Sequence, residues 1–98
     1  MRRVDRIELQ AFDWNEAKRQ LTLAKSGLDF RVVAFSLLSP HIETESPRNG
    51  ELRIKAICKF GERLIVVIYT MRDDVCWIIS AWPADRNEQR QYREILGG

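Results

Sequence analysis

The chain has 98 residues and a formal net charge of +2 at pH 7, with 45% hydrophobic and 9% aromatic residues. This length suits one domain over residues 1–98 with a single core, and the composition is ordinary for a globular protein. No apolar run approaches the roughly 18 residues that cross a bilayer, and the basic N-terminus lacks the apolar segment of a secretory signal, so we expect a cytoplasmic protein without a membrane span.

The N-terminal quarter of the chain predicts a strand followed by a helix. Apolar and polar residues alternate over residues 5–12, which is typical of a strand with one buried face. Asn15 is a favourable N-cap for the helix, and Gly27 is a typical left-handed residue at its C-terminal end. The apolar positions of this helix are Ala17, Leu21 and Ala24.

A second, shorter helix and a loop follow. Asp29 is the N-cap of this helix, which ends at Ser39-Pro40 and is apolar nearly all round, so we expect it to pack deeply. Residues 39–50 contain two prolines and a glycine but few large apolar side chains. They predict a loop that includes His41, with a short strand over residues 41–45 as an alternative.

Three strands are predicted next. Apolar and charged residues alternate over residues 52–59, which indicates a half-buried strand with one charged face. Gly61 and Glu62 form a turn into the continuous apolar run 64–70, which suits a central strand covered on both faces. The third strand spans residues 75–82 and ends at Pro83, because proline has no N–H to offer a sheet.

The last segment predicts a helix. Asp85 and Glu88 have the spacing of a capping box, although Glu88 could instead be a catalytic carboxylate. One face of the helix carries Tyr92, Ile95 and Leu96, and another carries Arg86, Arg90 and Arg93. The order of strand, two helices, three antiparallel strands and helix predicts an α+β fold with the helices on one side of the sheet.

Cysteine and histidine are too few for a metal site. Cys58 and Cys76 lie in strand-like segments, where isolated thiols in a reducing compartment are most often small core residues. His41 is the only histidine, and no carboxylates are suitably spaced to complete a zinc site with it. We therefore predict neither a metal nor any other cofactor.

The cations are dominated by arginine, which accounts for twelve of the sixteen. Arginine binds phosphate through a planar, bidentate fork that lysine lacks. The net charge of +2 does not by itself indicate a nucleic-acid partner. However, a protein of modest net charge can still have a strongly basic face when its acidic residues lie elsewhere.

Three segments, taken in order along the chain, resemble the BrnT family, the ribonuclease toxins of bacterial toxin–antitoxin pairs. The N-terminal matches are Trp14, Lys18, Lys25, Gly27 and Phe30. The central matches are Glu51 and Arg53. The C-terminal matches are Tyr69, Thr70, the segment 78–81, Arg86, Glu88, Tyr92, and Arg90 at one position from the family's arginine. Trp77 and Trp82 stand where the family pattern has arginine, and Ser26 stands where it has histidine.

The resemblance implies a RelE-like fold and a metal-independent endoribonuclease. Such an enzyme needs a base for the 2′-hydroxyl, an acid for the 5′-oxygen and cations for the charged transition state, and it leaves a 2′,3′-cyclic phosphate. The residues that it implies for catalysis are Lys18, Lys25, Arg53 and Tyr69. Arg86 and Arg90 are implied as ligands of RNA phosphates.

Each of these residues also has a structural interpretation. Lys18 and Lys25, with Thr22, form a polar stripe that is equally typical of a solvated helix face. Arg53 could simply lie on a solvent-exposed face of the sheet. Tyr69 could be an aromatic core residue whose hydroxyl has one hydrogen-bond partner. Arg86 and Arg90 are also compatible with surface ion pairs on the last helix.

The resemblance further implies partners. An RNA substrate and a neutralising antitoxin with a ribbon-helix-helix DNA-binding part are expected, with a dimer or an antitoxin-bridged heterotetramer as the assembly. The alternative is a catalytically inactive family member that binds RNA or a protein partner without cleavage, with Trp82 stacking on a base or anchoring the partner. A third possibility is an α+β interaction domain with no nucleic-acid role.

Overall fold

The computed structural model describes residues 1–97 and confirms the α+β class. In this range the chain forms six strands: β1 (Arg2–Val4), β2 (Ala11–Trp14), β3 (His41–Glu45), β4 (Ile54–Phe60), β5 (Arg63–Arg72) and β6 (Val75–Pro83). The helices of the same range are α1 (Glu16–Ser26), α2 (Phe30–Val33), a 3-10 helix (Ala34–Leu38) and α3 (Arg86–Leu96). No helix within residues 1–97 has both the length and the apolar character to cross a membrane.

The six strands form one mixed sheet in the order β1-β3-β4-β5-β6-β2. The predicted meander of β4, β5 and β6 is antiparallel, and β3 and β1 extend it antiparallel on one side. On the other side, β2 pairs parallel to β6. The short strand considered over residues 41–45 is therefore present, and it carries the sheet out to β1.

The strand predicted over residues 5–12 is wrong in its extent. β1 and β2 lie at opposite edges of the sheet, and the chain between them crosses one sheet face. On the way, Ile7 is buried and its N–H bonds to the carbonyl of Leu37 at 3.2 Å, while Gln10 bonds to the carbonyl of Asp74 at 2.7 Å. The alternation thus reports burial, but the backbone bonds to loops and a helix end instead of to a strand.

Helices cover both faces of the sheet, and the prediction of helices on one side is wrong. α2 and the 3-10 helix pack on the face that bears Cys58, Val67 and Tyr69. α3 packs on the opposite face, where Tyr92 contacts the cluster that includes Ile57. β5 is covered on both faces as predicted, since Ile65, Val66, Val67, Ile68 and Tyr69 are all buried.

The first helix presents a different side to the sheet from the one its apolar residues suggest. Asn15 is the N-cap, with its side chain accepting from the backbone N–H of Lys18 at 3.0 Å, and Gly27 ends the helix at φ 71°. However, Thr22 is only 6% exposed, whereas Leu21 is 61% exposed. α1 packs against β6 and turns Thr22 inward, whereas Lys18 and Lys25 of the same polar stripe remain exposed.

Candidate functional site

A cleft lies beside α1 on the sheet face that also carries α3. It consists of three adjoining cavities, and Lys18 lines all three. The central cavity has a volume of about 370 Å³ and is lined by Lys18, Ser46, Arg48, Arg53, Lys55, Ile68, Ile79, Ser80 and Trp82.

The two flanking cavities extend the cleft in different directions. The Trp77 pocket, of about 520 Å³, is lined by Asn15, Ala17, Lys18, Leu21, Arg53, Arg72, Trp77, Ile78 and Ile79. The Lys25 pocket, of about 320 Å³, is lined by Lys18, Leu21, Thr22, Lys25, Ser26, Ser80, Ala81 and Trp82. Both flanking cavities share residues with the central cavity, so the three form one continuous surface.

A β-bulge in β6 brings the aromatic residues to this cleft. Ile68 pairs with Ser80 but Tyr69 pairs with Ile78, so Ile79 is an extra residue on β6. The insertion lets Cys76, Ile78 and Ala81 all belong to the core on the other face. It also leaves Trp77, Ile79, Ser80 and Trp82 lining the cleft. A bulge re-aims side chains in this way because it shifts the two-residue alternation by one position.

The cleft is strongly cationic. Among the residues that the structure describes, its lining includes six cations and no aspartate or glutamate; the cations are Lys18, Lys25, Arg48, Arg53, Lys55 and Arg72. Two carboxylates reach it from outside, Glu88 to Lys55 at 2.7 Å and Glu51 to Arg72 at 3.5 Å. The net charge of +2 therefore conceals a basic face, which is formed by three lysines and three arginines.

Arg53 has an unpaired buried donor in this cleft. Within residues 1–97, its Nε atom is buried and has no hydrogen-bond partner. Buried polar atoms are nearly always hydrogen-bonded, because leaving one unpaired costs about 1–3 kcal/mol. Arg53 therefore has unused hydrogen-bonding capacity beside the other cations of the cleft, and the carboxylate oxygen Oε1 of Glu51 is likewise buried without a hydrogen-bond partner in this range.

The structure brings together three of the four residues predicted for catalysis. Lys18 and Arg53 line the central cavity, and Lys25 lines the adjoining pocket on the other side of Lys18. Arg48 and Lys55 also line the central cavity but were not predicted as site residues. Lys55 was detectable in principle, because it lies two residues from Arg53 and thus on the same strand face.

Tyr69, the fourth residue predicted for catalysis, does not line the cleft, because its side chain lies on the other face of the sheet. It is 3% exposed, and its hydroxyl donates to Glu43 Oε2 at 2.6 Å. Burial, followed by this hydrogen bond and the charge of Glu43, raises the pKa of Tyr69 far above its usual range. This environment corresponds to the core interpretation of Tyr69, with one satisfied hydroxyl.

The neighbours of Tyr69 correct the expectation for His41. Instead of lying in a loop, His41 opens β3 and is fully buried, with Nε2 2.7 Å from Glu43 Oε2 and Nδ1 2.7 Å from the carbonyl of Ser39. Burial acts to raise the pKa of Glu43, but hydrogen bonds from His41 and Tyr69 and the charges of His41 and Arg2 outweigh it and lower the pKa. These groups form a closed polar network inside the core.

Arg86 and Arg90 lie exposed on α3, outside the three cavities. Arg90 Nε is 3.9 Å from Glu94, and Arg90 also donates to Asn87. The capping box that opens this helix is present, with Glu88 and Asp85 each accepting from the other's backbone N–H at 2.8 Å. The structure thus places these two arginines on the surface of the helix whose first turn borders the cleft.

No cluster of three or more histidine, cysteine, aspartate or glutamate side chains suited to a metal ion occurs within the described range 1–97.

Comparison with known proteins supports the resemblance of the sequence. A family model described as the ribonuclease toxin BrnT of a type II toxin–antitoxin system matches residues 14–88. Curated proteins give no significant match. The matched segment is well over half of the chain and includes Lys18, Lys25 and Arg53. The chain therefore belongs to the BrnT family of ribonuclease toxins of type II toxin–antitoxin systems.

Proposed function

We propose that this protein is an endoribonuclease toxin that cleaves cellular RNA in the bacterial cytoplasm without a metal ion and is neutralised by a cognate antitoxin. The observation that carries the proposal is the cleft with six lining cations and, within residues 1–97, no lining carboxylate. Such a surface attracts a polyanion and stabilises the additional charge that develops on a phosphate during cleavage.

The scissile phosphate binds in the central cavity. Arg53 and Arg48 both line this cavity, and neither has a carboxylate within 4.0 Å among the described residues. Lys55 is fixed by its ion pair with Glu88 at 2.7 Å, which holds its ammonium group in one position. The phosphate therefore meets cations that are already in place, which is the requirement for electrostatic stabilisation of a transition state.

The reaction is an intramolecular displacement. The 2′-oxygen attacks phosphorus, the bond to the 5′-oxygen breaks, and the products are a 2′,3′-cyclic phosphate and a 5′-hydroxyl. Lysine can exchange a proton in this step, whereas arginine remains charged. Since Lys55 is engaged by Glu88, Lys18 and Lys25 are the lysines assigned to proton transfer, and Tyr69 takes no part because its hydroxyl lies in the core.

The antitoxin is the second partner. We assign to it a ribbon-helix-helix DNA-binding part and a segment that covers the cleft, with the complex assembled around an antitoxin dimer. The family description of a type II toxin–antitoxin system supports an antitoxin as the protein partner. Arg86 and Arg90, exposed on α3, serve as additional contacts for RNA phosphates beside the cleft.

Cleavage by purified protein tests the proposal. Wild-type chain, a Lys18→Ala/Arg53→Ala variant and a Lys59→Ala/Arg63→Ala control are incubated with total RNA in the presence of EDTA. The control removes the same charge from a cavity elsewhere on the molecule, which Lys59 and Arg63 line. Loss of a single transition-state contact costs about 10²- to 10³-fold in rate, so the cleft variant should be at least 100-fold slower and the control unchanged. Mass spectrometry of the products should detect 2′,3′-cyclic phosphates.

Binding without cleavage is the second candidate function. It is favoured by Trp77 and Trp82, which line the cleft at positions where the family pattern has arginine. A correctly folded wild-type protein that binds RNA but leaves it intact after long incubation would establish this alternative and refute the ribonuclease proposal.

A further inference from the structure

The Trp77 pocket contains groups that phosphate chemistry does not use. Leu21, Ile79 and the indole of Trp77 supply apolar surface, while Lys18 and Arg53 connect it to the central cavity. Leu21 is 61% exposed, so its apolar side chain is accessible to a ligand in this pocket. A cavity with an apolar lining and a few charged groups is typical of a site for a small, partly apolar ligand.

One wall of this pocket is a cation–π pair of Arg72 and Trp77. The Arg72 guanidinium carbon lies 4.5 Å from the centre of the Trp77 ring, which is a cation–π distance. Glu51 Oε1 lies 3.5 Å from Arg72 Nη2. The guanidinium therefore lies against the indole and within ion-pair distance of Glu51, so an arginine and an aromatic ring both line this wall of the pocket.

We propose that the Trp77 pocket binds one unpaired nucleobase of a single-stranded RNA whose adjacent phosphate lies in the central cavity. The inference rests on the proposed function, because it assigns the base next to the phosphate that Lys18 and Arg53 contact. Nucleobases stack on aromatic rings and on arginine planes, and this stacking tolerates different bases because every base has a π-face. Lys18 and Arg53 line both cavities, so a base and its own phosphate can occupy them together.

The same geometry predicts a preference for unpaired RNA. A base inside a duplex is covered on both faces by its neighbours and must leave the stack before its π-face can contact the Trp77 ring. Double-stranded RNA would place its phosphates near the cations but could not fill the Trp77 pocket. Single-stranded segments should therefore be the substrate class of this cleft.

Binding of modified octamers tests the proposal. The probe is a fluorescent, fully 2′-O-methylated RNA octamer, which cannot be cleaved because its 2′-oxygens are blocked; the comparison probe has the same backbone with abasic residues. Affinities are measured by anisotropy for wild type, Trp77→Ala, Trp77→Phe and the control Arg63→Ala. Arg63 opens β5 and lines a cavity that shares no residue with the Trp77 pocket.

The expected pattern is specific to a base site. Trp77→Ala should weaken binding of the complete octamer at least about fivefold and leave the abasic octamer unchanged, because it removes a stacking surface. Trp77→Phe should recover most of the affinity, and Arg63→Ala should match wild type. The phenylalanine variant also guards against misfolding of the alanine variant, since it retains an aromatic residue on β6.

Three results would overturn the inference. Equal affinity of wild type for the two octamers would do so even if the protein cleaves RNA, and the proposed function would then stand alone. Equal weakening of both octamers in Trp77→Ala would indicate a general effect on the cleft. Unchanged binding of the complete octamer in Trp77→Ala would show that the indole does not hold a base. A different outcome separates the two proposals. If wild type binds the complete octamer more tightly than the abasic one but cleaves no RNA, the ribonuclease proposal is refuted and the base site is supported.

Discussion

Glu88 Oε2 lies 2.7 Å from Lys55 Nζ, which joins the first turn of α3 to the floor of the cleft. The other carboxylate oxygen of Glu88 accepts from the backbone N–H of Asp85 at 2.8 Å. One side chain therefore completes a helix cap and orients a cation of the site. Glu88, which the capping-box spacing predicts as a cap residue, therefore also affects the charge of the central cavity through Lys55.

Two substitutions of Glu88 should separate its roles. Glu88→Gln keeps an oxygen for the cap but loses the charge opposite Lys55, so the free energy of unfolding should fall by less than about 1 kcal/mol. Glu88→Ala also loses the cap and should cost about 1–2 kcal/mol. Urea unfolding measures both, with the exposed Glu94→Gln on α3 as the control. In addition, Glu88→Gln should weaken octamer binding because Lys55 loses the ion pair that holds its ammonium group in the cleft; tighter binding would contradict this orienting role.

Removal of the Tyr69 hydroxyl should affect stability and spare activity. Tyr69→Phe leaves buried Glu43 without one of its donors, which should lower the free energy of unfolding by about 1–3 kcal/mol. The rate of RNA cleavage, measured well below the unfolding midpoint, should stay within about twofold of wild type because the hydroxyl lies across the sheet from the cleft. A tenfold slower rate in a folded variant would place Tyr69 in catalysis after all.

Asp29 should make the fold sensitive to acid. The side chain of Arg31, a backbone N–H and the charges of Arg31 and Arg19 lower the pKa of Asp29 from 3.8 to about 2, although burial opposes the shift. Because this pKa is lowered on folding, the ionised carboxylate stabilises the fold fully at pH values above the pKa of Asp29 in the unfolded chain. This stabilisation is lost as the pH falls through about 2.

The Asp29→Asn variant measures this contribution, because asparagine retains the ability to cap α2. At pH 7 it should be less stable than wild type by at most about 1 kcal/mol, since the ion pairs are partly solvent-screened. The difference should shrink as the pH is lowered from about 4 towards 2. A difference that stays constant over this range would show that the carboxylate charge does not contribute.

The two thiols should be unreactive in the folded protein. Burial, assisted by the charge of Glu43, raises the pKa of Cys76 to about 12 and that of Cys58 further. Because the thiolate is the reactive form, native protein should resist an aromatic disulfide reagent at pH 8 and react at both positions in urea. Cys58→Ala and Cys76→Ala variants identify each thiol, and rapid labelling of either one under native conditions would contradict the burial.

The sequence alone predicted the structural features that depend on residues close together in the chain. The capping box of Asp85 and Glu88, the left-handed Gly27 and the doubly covered strand 64–70 are of this kind. Each follows from backbone hydrogen-bonding needs or from side-chain periodicity within one element. The family assignment and the catalytic candidates Lys18, Lys25 and Arg53 also came from the sequence, through its resemblance to BrnT toxins.

The tertiary structure decided which of these residues share a cavity. Ile79 is an ordinary apolar residue in a strand pattern, but as the extra residue of a bulge it sends Trp77 and Trp82 to the cleft while Ile78 stays in the core. Likewise, Thr22 is buried and Leu21 exposed because α1 turns its Thr22 side, and not its apolar side, towards β6. Sequence periodicity indicates whether a side chain favours burial or solvent. The face that the side chain occupies depends instead on strand register and on the elements that pack over it. Both are set by residues far away in the chain.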